Sequence, residues 1–237
     1  MADSRQSQAQ QSPVTVDQFL KTGRDRLGLE LAAGQAGLAR VIIEPVVHRP
    51  GLALSGFYEH FAWKRIQVVG MAEYAYLSSL PDTLRIQRFE ELFSMKIPCM
   101  VFTRGKRVFP EVLRVAEEKG VTVLRTGMVT RRFMQTATFV LEELHAPRCK
   151  VHGTMLEVAG VGVFIEGAAG LGKSETALGL IKRGHALVAD DLTLLRRDSS
   201  GNLMGSASPV TQYYMEIRGI GIIYVPAIFG VAAVRGE

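Results

Sequence analysis

The sequence predicts an α/β protein: a small N-terminal α/β domain followed by a phosphate-binding-loop domain. Three observations predict it. Short apolar, β-branched runs alternate with amphipathic stretches of helical period through the first part of the chain. A complete G-x-x-x-x-G-K-[ST] loop occupies residues 167–174, with an apolar run before it and a helical pattern after it. Between the two halves stands Ala146-Pro147-Arg148, a natural boundary, because a proline cannot continue a helix and biases its predecessor away from one.

Taken in order, residues 1–12 are rich in Gln, Ser and Ala and have no apolar centre. They read as a disordered tail and not as a signal peptide. Residues 14–20, with Thr15 or Asp17 as cap, open a helix that runs to Leu27. Residues 41–43 read as a strand and 48–57 as a turn-rich connection. A buried strand at 66–69 ends at Gly70, and helices follow at 71–80 and 83–95, separated by Pro81-Asp82. A strand at 98–102 leads into the loop Thr103-Arg104-Gly105, then a helix at 110–119 closed by Gly120 and a strand at 121–124. Residues 131–144 form a long helix with Phe133, Ala137, Val140, Leu141 and Leu144 on one face. The expected domains are 13–147 and 148–237.

Composition narrows the function classes. At 47% hydrophobic and 22% charged the chain can bury a core, and its net charge of +5 suits a protein that handles anions such as nucleotides or phosphoproteins. No basic run interleaved with aromatics points to nucleic acid. No apolar run reaches the length of a transmembrane helix, about 18 residues. Cys99 and Cys149 lack metal-ligand spacing and read as reduced thiols of a reducing compartment, the cytoplasm.

The second part is organised around the loop. Residues 158–165 read as the strand that feeds it and 174–182 as the helix that leaves it. Gly167, Gly170 and Gly172 are expected at φ > 0, so that the amides of Gly167, Ala168, Ala169, Gly170, Leu171, Gly172, Lys173 and Ser174 can cradle phosphate oxygens. The helix N-terminus adds partial positive charge. Lys173 can reach the β- and γ-phosphates, and the Ser174 hydroxyl can sit on Mg²⁺, which keeps several waters and takes few protein ligands. Glu175 is expected to face outward.

Three further groups stand near this loop in sequence. His152, just ahead of the feeding strand, fits a structural or a catalytic histidine. Residues 187–191 form an apolar strand ending in Asp190 and Asp191; carboxylates there can bind Mg²⁺ through water or accept a proton, unless they only solvate a turn. Asp191 is the better base and Asp190 the better metal or outer-shell group. Glu216 and Arg218, two apart in an apolar setting and on one face if in a strand, form either a buried salt bridge or a metal carboxylate beside a phosphate-facing guanidinium. Residues 198–202 read as a hairpin turn.

The stretches Gly167-Ala168-Ala169-Gly170-Leu171-Gly172-Lys173-Ser174-Glu175-Thr176, Val188-Ala189-Asp190-Asp191 and Glu216-Ile217-Arg218-Gly219-Ile220-Gly221 resemble the HPr kinase/phosphorylase family. So do Arg49-Pro50-Gly51-Leu52, Gly56-Phe57-Tyr58 and Thr103-Arg104-Gly105 in the first half. The resemblance covers nearly everything after the tail. It implies a regulatory N-terminal domain and a kinase domain resembling phosphoenolpyruvate carboxykinase. The implied activity is phosphorylation of a serine of the phosphocarrier HPr from ATP or pyrophosphate with Mg²⁺, reversed by phosphorolysis, in a homo-hexamer. It implies His152, Lys173 and Asp191 as catalytic positions and Ser174 and Glu216 as magnesium positions. Ala169 stands where the family often has Ser, and Tyr224 where a smaller polar residue is common. The chain ends at Glu237, before a further catalytic Arg, a dephosphorylation loop and terminal helices that the resemblance implies. The alternative expectation is a C-terminally truncated nucleotide-binding module with little turnover.

Overall fold

The structure, a computed structural model, describes residues 13–168, 170–198 and 200–237; the expected tail and Ala169 lie outside them. The chain divides into two compact units, one ending at His145 and the other running from Ala146 to Glu237.

The first unit starts with α1 (Val16–Leu27), which begins where Thr15 and Gln18 cap each other: the Gln18 amide donates to Thr15 Oγ1 at 3.3 Å and the Thr15 amide to Gln18 Oε1 at 3.0 Å. Then come β1 (Glu30–Ala33), β2 (Val47–His48), α2 (Gly51–Leu54), β3 (Ile66–Val69), α3 (Met71–Ser79), α4 (Asp82–Ser94), β4 (Cys99–Phe102), α5 (Pro110–Lys119), β5 (Thr122–Arg125) and α6 (Thr130–His145). The strands form one sheet in the order β1-β5-β4-β3-β2, parallel from β2 to β5 and antiparallel between β1 and β5.

Both faces of that sheet are covered, which is why β4 is an unbroken apolar run and β3 is apolar but for Gln67, whose buried amide donates to Ala62 O and Arg65 O. Val68, Cys99, Val101 and Leu124 pack with α1 and α6 through Phe19, Leu27, Phe133 and Leu141. Their neighbours Val69, Met100, Phe102 and Val123 pack the other way, with Leu77, Phe89, Phe93 and Val115 of α3, α4 and α5. The crossovers from β2 to β5 all step in one direction. The crevice that opens where strand order reverses, the usual ligand site of open α/β sheets, therefore does not arise here.

The structure departs from expectation at three places in this unit. Residues 41–43 are not a strand: Val41 makes a single bridge with Thr15, and Ile42 donates its amide to Val14 O at 2.8 Å. β1 was not expected, because of its four residues only Ala33 is buried and no alternation shows. The turn-rich stretch 48–57 contains the one-turn helix α2, whose Ala53 and Leu54 reach the core.

The second unit contains β6 (Arg148–His152), β7 (Thr154–Val158), β8 (Val161–Ile165), α7 (Lys173–Ile181), β9 (Ala186–Ala189), β10 (Leu192–Arg197), β11 (Leu203–Ser206), β12 (Tyr214–Ile217), β13 (Gly221–Tyr224) and α8 (Val225–Phe229). Two three-stranded sheets, β11-β10-β6 and β8-β7-β9, accompany the hairpin β12-β13. Leu156, Ala177, Ile181, Leu187, Met215 and Ile217 form the core that joins α7 to the strands. The expected strand at 158–165 is two strands: Ala159 (φ 51°) and Gly160 (φ 82°) make the two-residue turn between β7 and β8. An apolar run hid that turn, with Gly160 its single marker.

Cys99 is buried and Cys149 half-buried, and both are free thiols. Burial pushes the Cys99 thiol up, so it stays protonated.

Candidate active site

The site grows from a corner shared by two strand pairs. β6 pairs with β10 in one sheet, with His152 opposite Leu192; β7 pairs with β9 in the other, with Met155 opposite Ala189. Before the shift in the β7–β9 ladder between Met155 and Leu156, the two registers agree, so Gly153 stands opposite Asp191 and Thr154 opposite Asp190. The Gly153 amide donates to Asp191 O at 2.9 Å, Thr193 Oγ1 donates to Gly153 O at 3.0 Å, and Thr154 Oγ1 donates to Asp190 Oδ1 at 2.8 Å.

The corner bends at Asp191. Its φ is 60°, and the Leu192 amide donates to Asp190 O at 2.7 Å, which makes a three-residue turn in its rare positive-φ form. Aspartate tolerates that region better than most side chains, and strain of this kind gathers at functional sites. The bend turns the Asp190 side chain inward, where it is 9% exposed, and leaves Asp191 at the surface.

The phosphate-binding loop faces this corner. Gly170 (φ 86°) and Gly172 (φ 85°) take the left-handed conformation expected of them. Gly167 does not, which corrects the expectation for that residue: the chain is still leaving β8 there and has not begun to curl. Gly172 precedes α7, so the helix begins at Lys173 with its N-terminus at the loop. Lys173 Nζ donates to Gly167 O at 2.8 Å and to Ala168 O at 3.2 Å, folding the ammonium back over the loop. Leu171, at the loop tip, is 72% exposed.

Loop and corner enclose an open cleft of about 210 Å³. Gly170, Gly172, Lys173, Ser174 and Glu175 line one side, and Thr154, Asp190, Asp191, Glu216 and Arg218 the other. Glu175 is thus on the cleft wall and does not simply face solvent away from it. Glu216 lies in β12, but Arg218 falls beyond that strand in the turn to β13, so the two do not share a strand face as expected. Arg218 reaches across to the loop at Gly170. His152 is exposed on β6, one residue from the corner, and is not among the side chains that line the cleft. Thr154 is the lining residue that sequence reasoning missed.

The donor set is sparse. Among the described residues no group of three His, Cys, Asp or Glu side chains is placed to hold a metal ion. Both Asp190 oxygens are engaged: Oδ1 by Thr154, and Oδ2 by the Glu216 amide at 3.0 Å. The other side-chain oxygens on the cleft are the Ser174 hydroxyl and the exposed carboxylates of Glu175, Asp191 and Glu216, a dispersed set that fits a hard cation keeping its waters and borrowing phosphate oxygens, and not an all-protein cage.

The chain is similar to known proteins over its whole described length. The family model described as HPr Serine kinase N terminus matches residues 14–141, and that described as HPr Serine kinase C-terminal domain matches residues 143–237. An HPr kinase/phosphorylase of Leptospira biflexa serovar Patoc is 40% identical over 222 residues, covering 94% of this chain and 69% of the relative. One from Peptoclostridium acidaminophilum is 40% identical over 222 residues, 94% of this chain and 71% of the relative. The solved structure of the Hpr(Ser) kinase/phosphatase from Coxiella burnetii shares 45% identity over 37% of this chain and 57% of that one, with a TM-score of 0.36. Two adjoining family models that together account for residues 14–141 and 143–237, and relatives alike over nearly the whole chain, place it in the HPr serine kinase family.

Proposed function

We propose that this chain phosphorylates a serine of the phosphocarrier protein HPr, using ATP or pyrophosphate, and reverses that reaction by phosphorolysis. The observation that carries the reading is the cleft: a phosphate-binding loop with Lys173 and Ser174 on one wall, and the carboxylates of Asp191 and Glu216 on the other. In this reading residues 13–147 are the regulatory domain and 148–237 the kinase/phosphorylase domain, within a cytoplasmic homo-hexamer. The relatives named above carry enzyme names, and none favours a nucleotide-binding module with little turnover. No described helix is long and apolar enough to cross a membrane.

Phosphoryl transfer depends mostly on positioning and on neutralising charge over the transferred group. The loop amides and the α7 N-terminus hold the phosphates. Lys173 leaves its loop carbonyls and takes up the β- and γ-oxygens. Asp191 accepts the seryl proton as the serine oxygen forms its bond to the terminal phosphorus and the bond from that phosphorus to the leaving group breaks, releasing ADP from ATP or phosphate from pyrophosphate. In the reverse direction inorganic phosphate occupies the same cradle and displaces the serine oxygen, which takes its proton back from Asp191, and pyrophosphate leaves. His152 stands one residue from the corner as the third catalytic position. Ser174 and Glu216 would hold Mg²⁺, which would supply charge neutralisation for the transferred group.

The test is transfer of the γ-phosphoryl from ATP-Mg²⁺ to purified HPr. Phosphoserine that appears with this chain and vanishes in Asp191→Asn is the expected result. No transfer by the unaltered chain, with nucleotide still bound and Lys173→Ala abolishing that binding, would overturn the proposal.

A further inference from the structure

We infer that Asp190 is a positioning residue: it takes no part in the chemistry and binds no metal, but fixes the Glu216 carboxylate relative to Asp191 through the Glu216 backbone. The inference rests on the reading of Glu216 as the metal carboxylate. Three carboxylates line one wall of the cleft, and they differ in burial. Asp191 and Glu216 are exposed, whereas Asp190 is buried and has each oxygen committed to a donor of the protein itself. A carboxylate is buried at high cost unless its oxygens are hydrogen-bonded, and here a hydroxyl and an amide supply those bonds.

The two donors come from different elements. Thr154 Oγ1, 1% exposed, belongs to the start of β7 and turns the Asp190 carboxyl away from solvent. The Glu216 amide belongs to β12, whose ladder runs to β13 and not to β9. The Asp190 carboxylate therefore ties the β12-β13 hairpin to the corner that carries Asp191. It fixes the Glu216 backbone at the residue whose side chain would meet the metal. Each of those oxygens is already held by a donor of the protein, which fixes the orientation of the Asp190 carboxylate.

This role needs an acceptor, not a charge. Asparagine can fill it: its Oδ1 accepts from the Glu216 amide, while its Nδ2 donates to Thr154 Oγ1, which reverses from donor to acceptor. Alanine cannot. A residue acting on the metal through its charge would lose its effect in either variant.

The affinity of a fluorescent non-hydrolysable ATP analogue for the full chain is measured with Mn²⁺ and again with EDTA. The ratio of the two reads the metal site without requiring turnover. Asp190→Ala is expected to reduce the ratio about tenfold or more, the size usual for outer-shell partners, with the EDTA affinity unchanged. Asp190→Asn should stay within about threefold of the unaltered chain, well short of that loss. An unchanged ratio in Asp190→Ala would make the residue mere scaffold and overturn the inference. So would an equal loss in Asp190→Asn, which would make the charge itself the active feature. If Asp190→Ala fails to fold, Thr154→Val takes its place: it should lower the ratio and Thr154→Ser restore it, and no change would again overturn the inference. Glu216→Ala is the control. If it leaves the ratio intact, the reading of Glu216 as metal carboxylate is what has failed, and the inference falls with it.

Discussion

Arg218 lies across Gly170: a Cβ built on that glycine would stand 3.3 Å from Arg218 Nη1 and 3.5 Å from Nη2. The guanidinium thus lies over the loop at a glycine of positive φ. An exposed arginine in that position costs little to remove and much to lose for anion recognition. Arg218→Ala should leave the melting temperature nearly unchanged. It should lower kcat/KM about 10- to 100-fold, the range of one charge-assisted hydrogen bond. Arg218→Lys should restore only part of this, because an ammonium does not reproduce the two-pronged fork. Steady-state kinetics with thermal melts of each variant check the point.

Asp191 separates backbone from side-chain demands. At φ 60°, Asp191→Asn should fold as well as the unaltered chain and lose phosphoryl transfer. Asp191→Val should lose both, since a β-branched residue at positive φ costs roughly 1–3 kcal/mol. Denaturant titration beside the transfer assay distinguishes the two variants. Equal stability of the Asn and Val variants would count against the strained turn.

Gly153 is required by close approach and not by its φ. A Cβ there would stand 2.3 Å from Phe164 Cζ and 2.8 Å from Ile165 O. The ring can shift, but the carbonyl belongs to β8 and cannot. Gly153→Ala should therefore destabilise the second unit by about 1–3 kcal/mol, as overpacking does. Adding Phe164→Ala should recover only part of it. Full recovery in the double variant, read by chemical denaturation, would show that the carbonyl yields.

In the first unit Tyr58 sets an alkaline limit. Burial, and then the hydrogen bond its hydroxyl donates to Glu91 Oε2 at 3.1 Å, push the phenol up to about 12 from an ordinary 10.0. A phenol raised on folding stabilises the fold fully below its unfolded pKa, and that contribution is lost as pH climbs toward 12. Tyr58→Phe should lower stability at neutral pH and flatten the decline between pH 10 and 12. Melting temperatures of the two chains across that window should converge; parallel curves would refute the assignment.

What the sequence made legible was local. Lys173 and Ser174 stand in a spaced motif between a strand and a helix, and every part of that signal lies within one loop and its flanks. β3 and β4 were legible because both faces of each are buried, which makes β4 wholly apolar and β3 apolar but for Gln67. The Thr154–Asp190 bond was not: its partners are 36 residues apart, and a threonine at the head of a strand has no pattern to mark it. The residues left Glu216 open between a buried salt bridge and a metal carboxylate, and only the resemblance tipped that choice, since the fold alone brings β12 to the corner. β1 escaped because an edge strand with one buried residue shows no period. The turn at Ala159-Gly160 escaped because its flanks are equally apolar.

The sheet order of the first unit has a consequence for the moment of synthesis. Glu30 of β1 meets Arg125 of β5 across 95 residues, and α1 packs on α6, the last helix of the same unit. At roughly 5–20 residues per second, the earliest strand waits on the order of 5–20 s after translation for the strand that receives it. Until α6 follows, the apolar face of α1 lacks Phe133, Ala137, Val140 and Leu141, and a nascent chain stalled before residue 122 leaves that part of it uncovered. The first unit therefore closes like a clasp, its two ends joining last, so that a ribosome arrested upstream of β5 releases a chain whose first strand has no partner.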